Sequence, residues 1–167
     1  MRRVIVSLGV VAWMGIVAMV PMNIWEAVTF LDYQGNVVTL ESWSGYYVVM
    51  ELWKPELLDA ERNDRMLFER IYHKTHQYRF PFSQGIKYVR CALTPNFDQW
   101  QASIQKVPME FAVEVVDTAA ENSQLLRQLD IREFPYYVVY NHVGEVIYHG
   151  NSPLRLVRIL RRAARGR

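Results

Sequence analysis

The sequence is poor in cysteine: Cys91 is the single thiol in 167 residues. One thiol cannot close an internal disulfide, and no C-x-x-C motif occurs anywhere in the chain. A disulfide scaffold is excluded, and the cysteine count is silent about redox compartment. Net charge is scarce too, at +2, which is too little to point to nucleic acid as a partner. Serine-nucleophile motifs, glycine-rich phosphate loops and paired-carboxylate patterns do not occur, nor do internal repeats. Nothing calls for a metal or a cofactor. What is present is apolar: 51% hydrophobic residues, with 13% aromatics, supply the core of one domain of ordinary size and exclude low-complexity disorder.

Both ends of the chain are distinctive. Arg2 and Arg3 precede an uncharged apolar run, Val4 to Val20, closed by Pro21. Its seventeen residues sit at the lower limit for crossing a bilayer and exceed a usual signal-peptide core. Ile16 with Ala18 and Trp25 with Ala27 make poor cleavage sites. Residues 1–22 therefore read as a signal anchor or signal peptide, with the uncleaved anchor favoured. A buried core helix fits less well, because the run has no polar stripe. Residues 23–27 are a linker, and 4–20 give contact with a membrane. With Arg2 and Arg3 held inside, everything from about Asn23 lies outside the cytoplasm, in the periplasm. At the other end Arg155, Arg158, Arg161, Arg162, Arg165 and Arg167 crowd the last thirteen positions. A solvated helix face with a basic tail, 163–167, is the first reading; an acidic partner or lipid head groups is the second.

Between the ends, strands and helices alternate. Val28–Leu31 and Val37–Leu40 flank Asp32-Tyr33-Gln34-Gly35-Asn36, a turn suited to a hairpin. Tyr46–Trp53 is nearly continuous in apolar, β-branched and aromatic residues, as in a strand buried on both faces. From Glu56 to about Tyr78, Leu67, Phe68, Ile71 and Tyr72 make an apolar helical stripe, with Arg65 and Glu69 on the wet side. Ile86–Leu93 reads as a strand, and Thr94-Pro95 as the start of a helix carrying Phe97, Trp100 and Ile104. Phe111–Val116 is a short strand, followed by Asp117 as cap of a helix bearing Leu125, Leu126 and Leu129. Tyr136–Tyr140 and Glu145–His149 form a hairpin. Ser152-Pro153 opens a last helix with Leu154, Val157 and Leu160 inward. Such an order describes an α/β domain, 28–162, in which helices flank a central mixed sheet.

The landmarks resemble those of the thioredoxin-like redoxin family, the membrane-tethered thiol–disulfide proteins of the TlpA/ResA type. The style is similar to that of divergent members from Bacteroidetes. Asp32, Gly35 and Leu40 match an early D-x-x-G-x-x-x-x-L pair of strands. Leu52-Trp53 matches the Phe-Trp that ends the buried strand before the active-site loop. Val89–Leu93 and Trp100 match the next strand and helix. Pro135 and Gly144 match the family's cis-proline and a later glycine. The resemblance covers residues 28–161 and implies a thioredoxin-like fold with Phe134–Pro135 in cis, close to the Trp53–Glu56 loop. One departure is decisive. Where the family reads roughly W-A-x-W-C-x-x-C-R-x-E, this chain reads Trp53-Lys54-Pro55-Glu56-Leu57-Leu58-Asp59-Ala60-Glu61, and leucine can neither attack a disulfide nor resolve one.

Three candidate sites follow. Cys91 lies inside a strand, with Arg90 expected on the opposite face, and reads as a small buried hydrophobe. The alternative is a divergent thiol–disulfide oxidoreductase or one-cysteine peroxidase using Cys91 alone. His73 and His76 have a spacing that can share a metal, but neither His142 nor His149 is an evident third ligand, and they read as surface histidines. Trp53, Lys54, Pro55, Glu56, Phe134 and Pro135 surround the former active-site loop. The resemblance implies that this groove can hold an extended chain by backbone pairing even without cysteines. The expectation is a redox-inactive extracytoplasmic module that binds or scaffolds an envelope protein or peptide.

Overall fold

The computed structural model describes residues 28–55, 58–106 and 109–166. The apolar run 4–20, the linker 23–27, Glu56, Leu57 and Arg167 lie outside the described residues. No helix among the described residues is long and apolar enough to cross a membrane.

Local chemistry builds the first hairpin. The Asp32 carboxylate accepts hydrogen bonds from the backbone N–H of Gln34 and of Asn36, both at 2.8 Å. Gly35 takes φ +82°, a left-handed conformation that costs a glycine nothing. This turn joins β1 (Thr29–Asp32) to β2 (Val37–Thr39). Strand β3 (Tyr47–Trp53) is buried at every residue. Helix α1 (Leu58–Thr75), strand β4 (Ile86–Leu93), helix α2 (Phe97–Lys106) and strand β5 (Ala112–Asp117) follow. A short helix α3 (Gln124–Leu129), the hairpin β6 (Tyr136–Tyr140) and β7 (Val146–Gly150), and α4 (Pro153–Ala164) complete the fold.

The seven strands form one sheet in the order β2-β1-β5-β4-β3-β6-β7. β3, β4 and β5 are parallel, and the pairs outside them are antiparallel. The alternation of a strand divides its side chains between two layers. Val48, Met50, Leu52, Val89, Cys91 and Val115 face Leu125 and Leu126 of α3 with Phe30, Leu40 and Trp43. Val49, Tyr88, Tyr137 and Val139 face Phe68 and Ile71 of α1 and Leu156, Val157 and Leu160 of α4. Each large side chain so covered contributes about 1.5–3 kcal/mol, enough to override weak local preferences.

Three expectations at helix ends need correction. Asn96, not Thr94, caps α2: its side-chain oxygen accepts the Gln99 N–H at 3.0 Å, while Thr94 accepts from Asn96 at 3.3 Å and so shapes the preceding turn. Asp117 does not cap α3. Its carboxylate accepts the Ala119 N–H at 2.9 Å and turns the chain into a 3-10 segment, Ala120–Asn122, and Ser123 then caps the helix. Leu154 is not inward but 72% exposed. It stands about 200° around the helix from Leu156, and Leu156, Val157 and Leu160 set the phase.

Candidate functional site: the carboxyl end of the parallel strands

Strand β3 delivers Trp53, 2% exposed, to the carboxyl end of the sheet, and the chain leaves through Lys54 and a buried Pro55. On the neighbouring strand the β3–β6 ladder ends at the pair Leu52–Tyr136. Phe134 and Pro135 therefore lie just beyond the last pair, beside Lys54, and the peptide between them is cis. The Lys54 ammonium stands 4.9 Å from the centre of the Phe134 ring. It also forms a salt bridge with Glu121, from the 3-10 segment after β5. Lys54 thus links β6 to the β5–α3 connection across the end of the sheet. Glu56 lies outside the described residues.

Around this bridge the surface is half-buried and aromatic. Phe134, Pro135 and Tyr136 are all partly exposed. The Tyr136 hydroxyl is 2.9 Å from His149 Nδ1, and burial holds its phenol above the ordinary tyrosine range. Beside Glu121 a cleft of about 440 Å³ is lined by Leu93, Pro95, Thr118 and Ala119. Neither Glu121 nor the Tyr136–His149 contact was named from sequence. Glu121 lies 67 positions from Lys54, and periodicity carries no signal for such a pairing.

Cys91 is elsewhere. It is completely buried on β4, between Leu52 and Val115, in the layer beneath α3. Burial, with the Asp117 carboxylate adding to it, pushes the thiol well above its ordinary value. The nucleophilic thiolate is suppressed accordingly. Arg90 does point to the opposite face, as strand alternation requires, but it is not at the surface: it is 1% exposed. Its Nε donates to Glu51 at 2.7 Å and its Nη1 to Glu114 at 3.4 Å. The Trp53 ring covers the guanidinium at 4.4 Å. Glu51, Arg90 and Glu114 are register partners on β3, β4 and β5, so a buried ionic row crosses the sheet under Trp53. Sequence reading missed this row. Its signal was there, as a charged residue flanked by apolar neighbours inside each of three strands.

The histidines stay apart in role. The His73 and His76 rings meet edge to face at 6.4 Å, and His76 Nδ1 lies 3.0 Å from the Tyr72 carbonyl oxygen. His142 stacks on Tyr47 at 5.9 Å. No group of three His, Cys, Asp or Glu side chains among the described residues could hold a metal ion.

No protein-family model and no curated protein matches the sequence. Solved structures do resemble the fold. The thioredoxin domain of a thiol-disulfide oxidoreductase from Bacteroides vulgatus superposes with a TM-score of 0.64 at 16% identity, covering 83% of this chain and 94% of that one. A thiol-disulfide oxidoreductase from Bacteroides fragilis gives 0.60 at 15% identity, over 81% and 95% of the two chains. An exposed lipoprotein thioredoxin of Streptococcus pneumoniae gives 0.57 at 11%, over 81% and 98%. At such identities the likeness is one of architecture: the chain has the thioredoxin-like α/β fold of thiol-disulfide oxidoreductases, with a single cysteine.

Proposed function

We propose that this protein is a membrane-tethered, extracytoplasmic thioredoxin-like module without redox activity of its own, which binds an extended segment of another envelope protein in the groove at Lys54–Pro55 and Phe134–Pro135. One observation carries the reading. The chain's single thiol is sealed in the layer beneath α3, whereas Lys54, Phe134, Pro135 and Tyr136 at the groove stay partly accessible. Thiol–disulfide exchange needs a thiolate and a second thiol to resolve the mixed disulfide. Strand addition needs neither. It uses backbone groups beyond the end of a ladder and pockets for alternate side chains, and the β3–β6 ladder stops at Tyr136, two residues short of Phe134. The two arginines and apolar run at the N-terminus favour export and tethering, and an exposed lipoprotein among proteins of this fold is in keeping with that location.

A photo-activated cross-linker at position 134 of the full chain, in its native membrane, should capture one envelope protein, and Lys54→Glu should reduce the capture. Insulin reduction with dithiothreitol should not rise above background. Turnover above background that Cys91→Ser abolishes would overturn the reading in favour of a one-cysteine oxidoreductase or peroxidase.

A further inference from the structure

Helix α4 is basic along its whole outer side. Arg155, Arg158, Arg161 and Arg162, with Arg165 at its end, are all exposed, and Pro153–Ala164 contains no acidic residue. Among the described residues none of these five arginines makes an ion pair. An ordinary surface helix intersperses carboxylates at the i+3 and i+4 positions; this one concentrates positive charge over an inner side that Leu156, Val157 and Leu160 seal against the sheet.

An apolar prong stands beside the arginines. Phe82 is 94% exposed and has φ +58°, a left-handed conformation that aromatic residues rarely take. The loop beneath it is fixed: Ser83 Oγ donates to the Gly45 and Gly85 carbonyls at 3.1 and 2.8 Å, and the Gln84 N–H donates to Gly45 at 2.8 Å. Phe82 shares a largely apolar cleft of about 520 Å³ with Arg162, Ile159 and Ala163. A second cleft, lined by Arg155, Arg158, Ile159 and Arg162, continues along the helix.

We propose that this face docks the domain on an anionic phospholipid surface, with the arginines among the head-group phosphates and the Phe82 ring at the acyl boundary. A cationic helix flanked by a projecting aromatic is the composition that interfacial binding requires. The choice of a bilayer over an acidic protein rests on the tethering reading given above. The apolar run ends at Val20, eight residue steps before Val28, and eight extended residues span about 28 Å. With α4 lying on the bilayer, a helix roughly 10 Å across separates lipid from sheet. The chain before β1 has a reach more than twice that thickness, so tether and docked face are compatible.

The test uses the full chain carrying Phe82→Cys, labelled natively with an environment-sensitive fluorophore. Buried Cys91 should not compete for the label, and labelled unsubstituted chain is the control. The protein is reconstituted into vesicles of phosphatidylcholine alone or with one third phosphatidylglycerol, each with lipid-borne quenchers. Emission should shift to the blue and be quenched in the anionic vesicles alone. Arg158→Gln with Arg162→Gln should lower the docked-to-undocked ratio about thirtyfold, and high salt should act likewise. A probe that stays in water in anionic vesicles that hold the chain would overturn the proposal, and overturn it in favour of an acidic protein if polyglutamate then shifts the emission. Failure of the chain to float with neutral vesicles would sink the tether instead; docking would still be read from flotation with anionic vesicles.

Discussion

Arg90 and Cys91 are neighbours on β4, equally hidden from solvent, yet they sit in opposite kinds of interior. Cys91 lies among Leu52, Val115 and Tyr140, where burial, with the Asp117 carboxylate adding to it, raises the thiol above its ordinary value. Arg90 lies between two carboxylates under an indole ring. The same strand thus carries an oily layer toward α3 and an ionic row toward α1. The difference teaches how strand alternation separates two environments one residue apart: the one thiol is in the layer that disfavours thiolate, and the cation that could lower a thiol pKa points the other way, already engaged by Glu51 and Glu114.

The largest effect should come from breaking the ionic row unevenly. Arg90→Met leaves the fully buried Glu51 carboxylate without its cation, and loss of one partner of a buried pair costs about 3–5 kcal/mol. Replacing Glu51 with leucine as well should restore much of this, because apolar substitution of a buried pair is often neutral or better. Urea unfolding of both variants decides the matter. A double variant as unstable as the single one would assign the cost to Glu114, which loses the same cation in both.

On the other face the expected cost is smaller. Cys91→Ser puts a hydroxyl into an apolar layer, at about 1–3 kcal/mol, whereas Cys91→Ala should cost less than the serine. If serine proved the milder change, the layer would not be as dry as its lining implies. Native alkylation of Cys91 should be slow, and should become fast on unfolding.

The pH dependence of stability separates the faces again. The folded thiol holds its proton to a higher pH than the unfolded one, whose pKa is about 8.5. Above that pH the unfolded chain releases a proton that the fold retains, so stability falls as pH rises, by up to about 1.4 kcal/mol per unit. Below it the contribution is fully present. Denaturation midpoints measured from pH 8 upward should decline, and Cys91→Ala should flatten the first part of the decline. The buried Tyr88 and Tyr140, held protonated by desolvation, extend it further into alkali.

Strand positions were legible because each is an apolar run between turn residues: Ile86–Leu93 was read to its ends. Placing Pro135 at the head of β6 needed the resemblance as well as the apolar run behind it. Helix starts were misread where two capping residues competed nearby, as with Thr94 and Asn96, or Asp117 and Ser123, since several residue types can hold an N-cap. The ionic row was harder. Glu51, Arg90 and Glu114 each stand out in an apolar strand, but what brings them together is inter-strand register, which no local pattern states. Lys54 was named from its place in the loop, and its partner Glu121 could not be, because the pair forms only after β5 returns beside β4.

That pair should carry the smallest stability effect of the four perturbations. Lys54 is mostly covered while the Glu121 side chain is 75% exposed, so water screens the attraction, and such pairs contribute about 0–1 kcal/mol. Lys54→Ala should therefore leave the unfolding midpoint nearly unchanged. The same lysine spans the groove, touching Phe134 on one side and Glu121 on the other, so its removal alters the shape and charge a bound segment would meet. Cross-linking from position 134 should fall in Lys54→Ala while stability holds. Glu121→Gln, which keeps the lysine over Phe134 but removes its counter-charge, should reduce cross-linking less. Equal losses of capture and of stability in Lys54→Ala would make the residue structural and would count against the groove.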